Sequence, residues 1–204
     1  MRAEGIPLAI DLRALCVFCG SSPGTRPEYV QAAEHLGRLL AERNIELIFG
    51  GGSIGMMGAV ARATLAAGGK ATGVIPRSLL KKEIAQSGLT RMHVVESMHE
   101  RKALMAKLSD GFVALPGGFG TLEEFFEVLT WAQLGFHQKP VALLDVAGFY
   151  APLITLLDHM ALEGFVRPRQ LGLVLIERET DKLLDRLEHF VAPQTEQWIA
   201  GDQT

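Results

Sequence analysis

"GFVALPGGFGTLEEFFEVLTW", residues 111–131, joins two kinds of pattern at a single proline. Before Pro116 the run is apolar without in/out alternation, which marks a strand buried on both faces, as in a parallel sheet. Pro116 stops that strand, because it cannot donate to a ladder. Beyond Gly117, Gly118 and Gly120 the apolar positions recur at helical spacing. At 100° per residue, Leu122, Phe125, Phe126, Val128, Leu129 and Ala132 form one broad arc. A buried strand, a glycine turn and an amphipathic helix make the repeating unit of an α/β fold.

The same alternation runs outward in both directions. Strand-length apolar runs occupy 14–18, 46–49, 71–75, 92–95, 111–115 and 141–144, with a weaker one near 171–176. Helix-period segments lie near 27–43, 55–67, 98–108, 121–134, 150–163 and 180–190. The first helix carries a capping-box pattern, Thr25–Glu28, with Pro27 in its first turn. The expectation is a Rossmann-like, doubly wound parallel sheet of about seven strands flanked by helices, with right-handed crossovers. It forms a single domain over 1–204, ordered over about 12–191, with loose ends. No repeat, low-complexity tract or linker interrupts it.

Bulk properties narrow the function. The 204 residues suffice for one domain with a sizeable core. Lys and Arg number 20 against 23 Asp and Glu, for a formal charge of -3, and no basic cluster or aromatic ladder stands out. A nucleic-acid polymer is therefore not an expected partner. No secretory pattern opens the chain, and no run reaches the roughly 18 apolar residues of a membrane span. These readings point to the cytoplasm and away from membranes. Cys16 and Cys19 form a C-x-x-C, but no second ligand pair exists for zinc, and Cys16 sits inside an apolar run. Both read as small buried hydrophobes. The six histidines show no paired ligand spacing, so no metal site is expected.

In doubly wound sheets ligands collect at the carboxyl ends of strands. Here those ends are rich in small residues: "CGSSPG" (19–24), "GGGSIGMMG" (50–58) and "PGGFGT" (116–121). The first two offer Gly20, Ser21, Gly51, Gly52 and Met57 as candidate lining. "GGGSIG" is a literal G-x-G-x-x-G, but the next strand ends "VIPRS" without the acid that would hold a ribose, which weakens a dinucleotide reading. A nucleotide-lining loop and a tight packing turn fit it equally well. In "PGGFGTLEE" the glycines permit a nest of N–H groups, and Thr121 adds a hydroxyl, a combination suited to a monophosphate. The competing reading is a plain capping box, Thr121 to Glu124.

Two charged residues stand out against these patterns. Glu124 falls at the flank of its helix's apolar arc, whereas Glu123 and Glu127 point outward toward solvent. In "SMHERKALMAKLSD" (97–110), Arg101 falls at the centre of the apolar stripe made by Met98, Leu104, Met105 and Leu108. A buried guanidinium needs an anionic or strongly accepting partner. A structural carboxylate and a ligand-bound site both satisfy that need, with Glu124 as the resting partner. Lys102, at the stripe's edge, can reach a phosphate as a mobile point charge.

At this point the chain resembles the LONELY GUY (LOG) family of cytokinin riboside 5'-monophosphate phosphoribohydrolases. The residues that carry the resemblance are "VFCGSSPG" (17–24), "FGGGSIGMMG" (49–58), "MHERKALM" (98–105) and "PGGFGTLEEFFEVLTWAQLG" (116–135). The family has also carried the label lysine decarboxylase, for which this sequence shows no lysine on a cofactor-binding loop. The resemblance implies a Rossmann-like homodimer, with the site near the interface and no metal or organic cofactor. It implies Arg101 and Glu124 as the catalytic pair. It places substrate contacts on Glu83, Lys102, Gly118, Phe119, Gly120, Thr121, Leu122, Glu123 and Thr130.

The implied reaction is hydrolysis of the bond between an adenine nitrogen and ribose C1' in N6-substituted AMP, and in AMP itself. Its products are the free base and ribose 5-phosphate. Such a reaction develops positive charge on the sugar and negative charge on the base. Glu124 suits the first and Arg101 the second, while Gly117 and its neighbours grip the phosphate. The alternative is a nucleotide or cofactor carrier of the same fold without hydrolysis.

Overall fold

The computed structural model describes residues 10–80 and 86–193. Glu83 lies outside the described residues. Seven strands form one parallel sheet: β1 (Ala14–Phe18), β2 (Glu46–Phe49), β3 (Ala71–Pro76), β4 (Arg91–Val95), β5 (Gly111–Ala114), β6 (Val141–Leu144) and β7 (Val174–Glu177). Their spatial order is β4-β3-β2-β1-β5-β6-β7. The helices are α1 (Pro27–Glu42), α2 (Gly55–Ala66), α3 (Met98–Leu108), α4 (Phe119–Leu134), α5 (Ala151–Leu162), α6 (Pro168–Leu171) and α7 (Thr180–Glu188).

Period-two side-chain alternation sends neighbouring strand residues into two separate cores. Leu15 and Val17 of β1 pack with Leu47, Phe49 and residues of α1, α2 and α7 on one face. Ala14, Cys16 and Phe18 pack with Phe112 of β5, Met105 of α3 and Phe125 of α4 on the other. Both faces being covered, β1, β3, β5 and β6 are buried along their whole length. This explains their unalternating sequences.

The chain builds from β1 outward to β4, then returns to place β5 on the other side of β1. The carboxyl ends of β1 and β5 therefore flank the switch point, where an open α/β sheet leaves a crevice. Leu15↔Gly111 and Phe18↔Ala114 set their register, and the Gly20 N–H donates to the Pro116 carbonyl at 3.1 Å.

The structure corrects four sequence expectations. Strand β4 is an edge strand whose Arg91 and Val94 are exposed, so it is not buried on both faces. It has a strand neighbour on one side alone. Helix α1 has no Thr25–Glu28 capping box. Pro27 fixes N1, which makes Arg26 the N-cap, without a side-chain cap bond. The Glu28 carboxylate instead accepts from Arg26 Nη2 at 2.8 Å. The last strand begins at Val174, not 171, because Pro168–Leu171 forms a one-turn helix. Gln170 Oε1 ties off its start by accepting from the Arg167 N–H at 2.9 Å. Finally, α4 starts at Phe119 with Gly118 as N-cap, so Thr121 sits inside the first turn and is not the cap of a Thr121–Glu124 box.

Candidate functional site

A cleft of about 450 Å³ opens at the switch point. Its walls come from the ends of β1 and β5, from the first turns of α3 and α4, and from Met57 and Leu79. Helix α3 supplies Arg101. Ser97 caps this helix by accepting the Glu100 N–H at 3.1 Å, and the apolar side chain of Met105 is buried one turn beyond Arg101. The arginine is thereby carried into the cleft floor on a helix face that would otherwise be apolar.

Helix α4 supplies the acid. Arg101 Nη2 lies 3.5 Å from Glu124 Oε1, with side-chain exposures of 8% and 12%. Arg101 Nε is buried without a hydrogen-bond partner. An ion pair this dry costs desolvation that the attraction alone seldom repays, so stability by itself does not account for it.

The neighbouring lysine is arranged differently. Lys102 Nζ pairs with Glu123 and, at 3.0 Å, with Glu127. Burial works against its ammonium, but the two carboxylates more than offset this and hold its pKa above the usual lysine value. Glu127 is consequently half-buried and paired, not solvated as its helical position suggested. Side by side, Arg101 with Glu124 and Lys102 with Glu123 and Glu127 clamp α3 to α4 along the cleft wall.

The glycine turn divides by task. A Cβ on Gly117 would lie 2.1 Å from Thr121 Oγ1, so Gly117 lets the buried threonine close on the turn. Gly118 and Gly120 are different: a Cβ on either would meet nothing within 4 Å. Their bare backbone faces open space at the start of a sixteen-residue helix, where N–H groups and the helix dipole favour an anion. Between them Phe119 is 95% exposed.

Of the other expected site residues, Gly20, Ser21, Met57 and Glu123 line the cleft. Leu122 packs into the core behind it. Thr130 is exposed and donates to the Phe126 carbonyl at 2.6 Å, within its own helix. Gly51 abuts Met92 and accepts from the Gln86 N–H at 2.9 Å, away from the cleft. Gly55 packs its Cα against the backbone of Ser21, where a Cβ would fall 2.3 Å from the carbonyl. The last glycine of the G-x-G-x-x-G therefore serves close loop packing.

Sequence reading missed Cys19, Leu79 and Met98 as lining. Cys19 follows the last residue of β1 and offered a signal by position. Burial first, and the negative Glu124 second, push its thiol pKa well up, the opposite of the environment that activates a thiolate. Among the described residues, no three His, Cys, Asp or Glu side chains group as metal ligands, and no helix is long and apolar enough to cross a membrane.

The fold and cleft define a doubly wound α/β protein with its ligand crevice at the switch point. Solved structures with this fold include the molybdenum cofactor carrier protein of Chlamydomonas reinhardtii, 23% identical with a TM-score of 0.65, covering 86% of this chain and 98% of that one. The molybdenum cofactor binding protein of Rippkaea orientalis, 22% identical with a TM-score of 0.65, covers 87% and 96%. Likeness at this identity shows the fold alone. A family model described as "Possible lysine decarboxylase" matches residues 57–187. The probable cytokinin riboside 5'-monophosphate phosphoribohydrolase LOGL5 of Oryza sativa subsp. japonica is 49% identical over 185 residues, covering 91% of this chain and 75% of its own. Cytokinin riboside 5'-monophosphate phosphoribohydrolase LOG7 of Arabidopsis thaliana is 47% identical over 178 residues, covering 87% and 82%. The chain belongs to this LOG phosphoribohydrolase family.

Proposed function

We propose that this protein hydrolyses the N-glycosidic bond of cytokinin riboside 5'-monophosphates, and of AMP, releasing the base and ribose 5-phosphate. The observation that carries the reading is the buried Arg101–Glu124 pair, 3.5 Å apart in a cleft beside the open backbone of Gly118 and Gly120. The 5'-phosphate sits on that backbone with Thr121, supplying remote binding energy that holds C1' in place. Glu124 faces the sugar and stabilises its developing positive charge, or orients the attacking water. Arg101 faces the base and stabilises the negative charge left on it. A guanidinium holds its charge and donates only hydrogen bonds, so charge stabilisation suits this residue better than proton transfer. Lys102 is held by Glu123 and Glu127 between α3 and α4, and contact with the phosphate requires it to leave them.

A homodimer completes the site. Phe119 and Met98 are exposed at the cleft mouth, and Leu162 and Phe165 are 81% and 84% exposed at the end of α5 and just beyond it. Apolar groups this open are the kind a second copy covers. The proposed substrate is an intracellular nucleotide, which supports a cytoplasmic location.

The test is a substrate panel read by chromatography: AMP, N6-isopentenyl-AMP and the corresponding nucleosides. Free base from the nucleotides, with the nucleosides cleaved far more slowly, is the expected result. Equal rates with and without the 5'-phosphate overturn the phosphate assignment. Tight retention of intact nucleotide with no base identifies a carrier instead.

A further inference from the structure

The first glycine after β2 has no task in the scheme above. Gly50 is buried, and its φ lies outside the left-handed region, so its backbone does not require glycine. Its neighbour Gly51 has φ +80° and does. What Gly50 lacks is room. A Cβ there would lie 2.1 Å from Arg101 Nη2, 3.2 Å from Arg101 Cζ and 3.4 Å from Met57 Sδ. The nitrogen that it would strike is the one that faces Glu124 Oε1 at 3.5 Å. One atom of the guanidinium is thus bounded by the end of β2 on one side and by the carboxylate on the other.

From this geometry we infer that Gly50 is a positioning residue: its missing side chain is the slot that sets where the Arg101 guanidinium stands relative to Glu124. The inference rests on the reading of Arg101 as catalytic. An added methyl requires Nη2 to retreat by about 1.3 Å to reach ordinary van der Waals contact. The atom that yields is the far end of a flexible side chain, not backbone, so the fold accommodates alanine while the charge moves. The same reading gives the triple glycine a purpose that a dinucleotide motif does not. Its first member makes space for a side chain of this protein, not for a pyrophosphate.

The experiment is a four-member cycle: wild type, Gly50→Ala, Arg101→Ala and the double variant. Each is assayed for base release from N6-isopentenyl-AMP, for ribose 5-phosphate binding by calorimetry, and for thermal midpoint. Gly50→Ala should lower kcat roughly 10- to 100-fold, as ångström-scale misplacement of a catalytic group does, with KM and ribose 5-phosphate affinity within about twofold of wild type. In the Arg101→Ala background the same substitution should change neither residual turnover nor thermal midpoint, because the nitrogen it displaces is gone. Wild-type kcat in Gly50→Ala, beside a crippled Arg101→Ala, overturns the inference and leaves the catalytic reading intact. An equal fold-loss in both backgrounds also overturns it, by showing a general distortion. Wild-type kcat in Arg101→Ala overturns both.

Discussion

Breaking the Arg101–Glu124 pair from one side should cost stability, and replacing both partners should cost less than the two single losses together. At 3.5 Å and an effective dielectric near 20, the gross attraction is about 5 kcal/mol. Part of it is returned when the surviving variant no longer has to desolvate the deleted charge. The cleft mouth lets water reach the remainder. A net loss of about 2 kcal/mol is therefore expected for Glu124→Gln and for Arg101→Met, which in a domain of this size lowers the thermal midpoint by roughly 4–8 °C. The double variant leaves no buried charge without its counter-ion. Its loss should fall short of the summed single losses by about 1–3 kcal/mol. Thermal and urea unfolding of the four proteins measure this. Strict additivity would refute the claim that the two groups sense each other across the cleft, and with it the electrostatic reasoning behind the mechanism.

Two further outcomes follow from the same coordinates. Burial first, and nearby Lys139 last, depress the His137 pKa from 6.5 to about 4, against the opposing hydrogen bond to the Val128 carbonyl. The unfolded chain therefore takes up a proton that the folded one refuses. Stability contributed by His137 is present above pH 6.5 and is lost as pH falls toward 4, by at most about 3 kcal/mol. Replacing His137 by Gln should flatten the fall of the thermal midpoint over that window, and an unchanged slope would exclude it as the titrating group. If a second copy covers α5, Leu162→Asp with Phe165→Asp should shift sedimentation toward the monomer, whereas an unaltered profile would locate the interface elsewhere.

Much of the fold was legible because the physics was local. Strands β1 and β6 begin and end where the apolar runs do, since burial on both faces leaves no polar position to blur their ends. The edge strand β4 was read as buried because its run is apolar, although exposure there depends on which strands come next to it. The start of α1 at residue 27 was legible but its cap was not, because Pro27 at N1 makes Arg26 the N-cap; α4 begins two residues before the expected 121, because Gly118 is its N-cap. The α6 turn is too short to show a period.

The meeting of Arg101 with Glu124 could be foreseen, because a charge at the centre of an apolar stripe demands a partner. The pairing of Lys102 with Glu123 and Glu127 could not, because it depends on how α3 and α4 lean together. Nor could Gly50, whose role is visible only once a side chain from 51 positions later is laid against it.

The central claim is that the buried guanidinium and carboxylate perform the cleavage. Turnover of N6-isopentenyl-AMP by Glu124→Gln and by Arg101→Ala, with folding verified by circular dichroism, tests it most directly. Each should release base about a hundredfold more slowly than wild type or worse, the scale on which a preorganised electrostatic group matters. A rate near wild type in either variant would contradict the account.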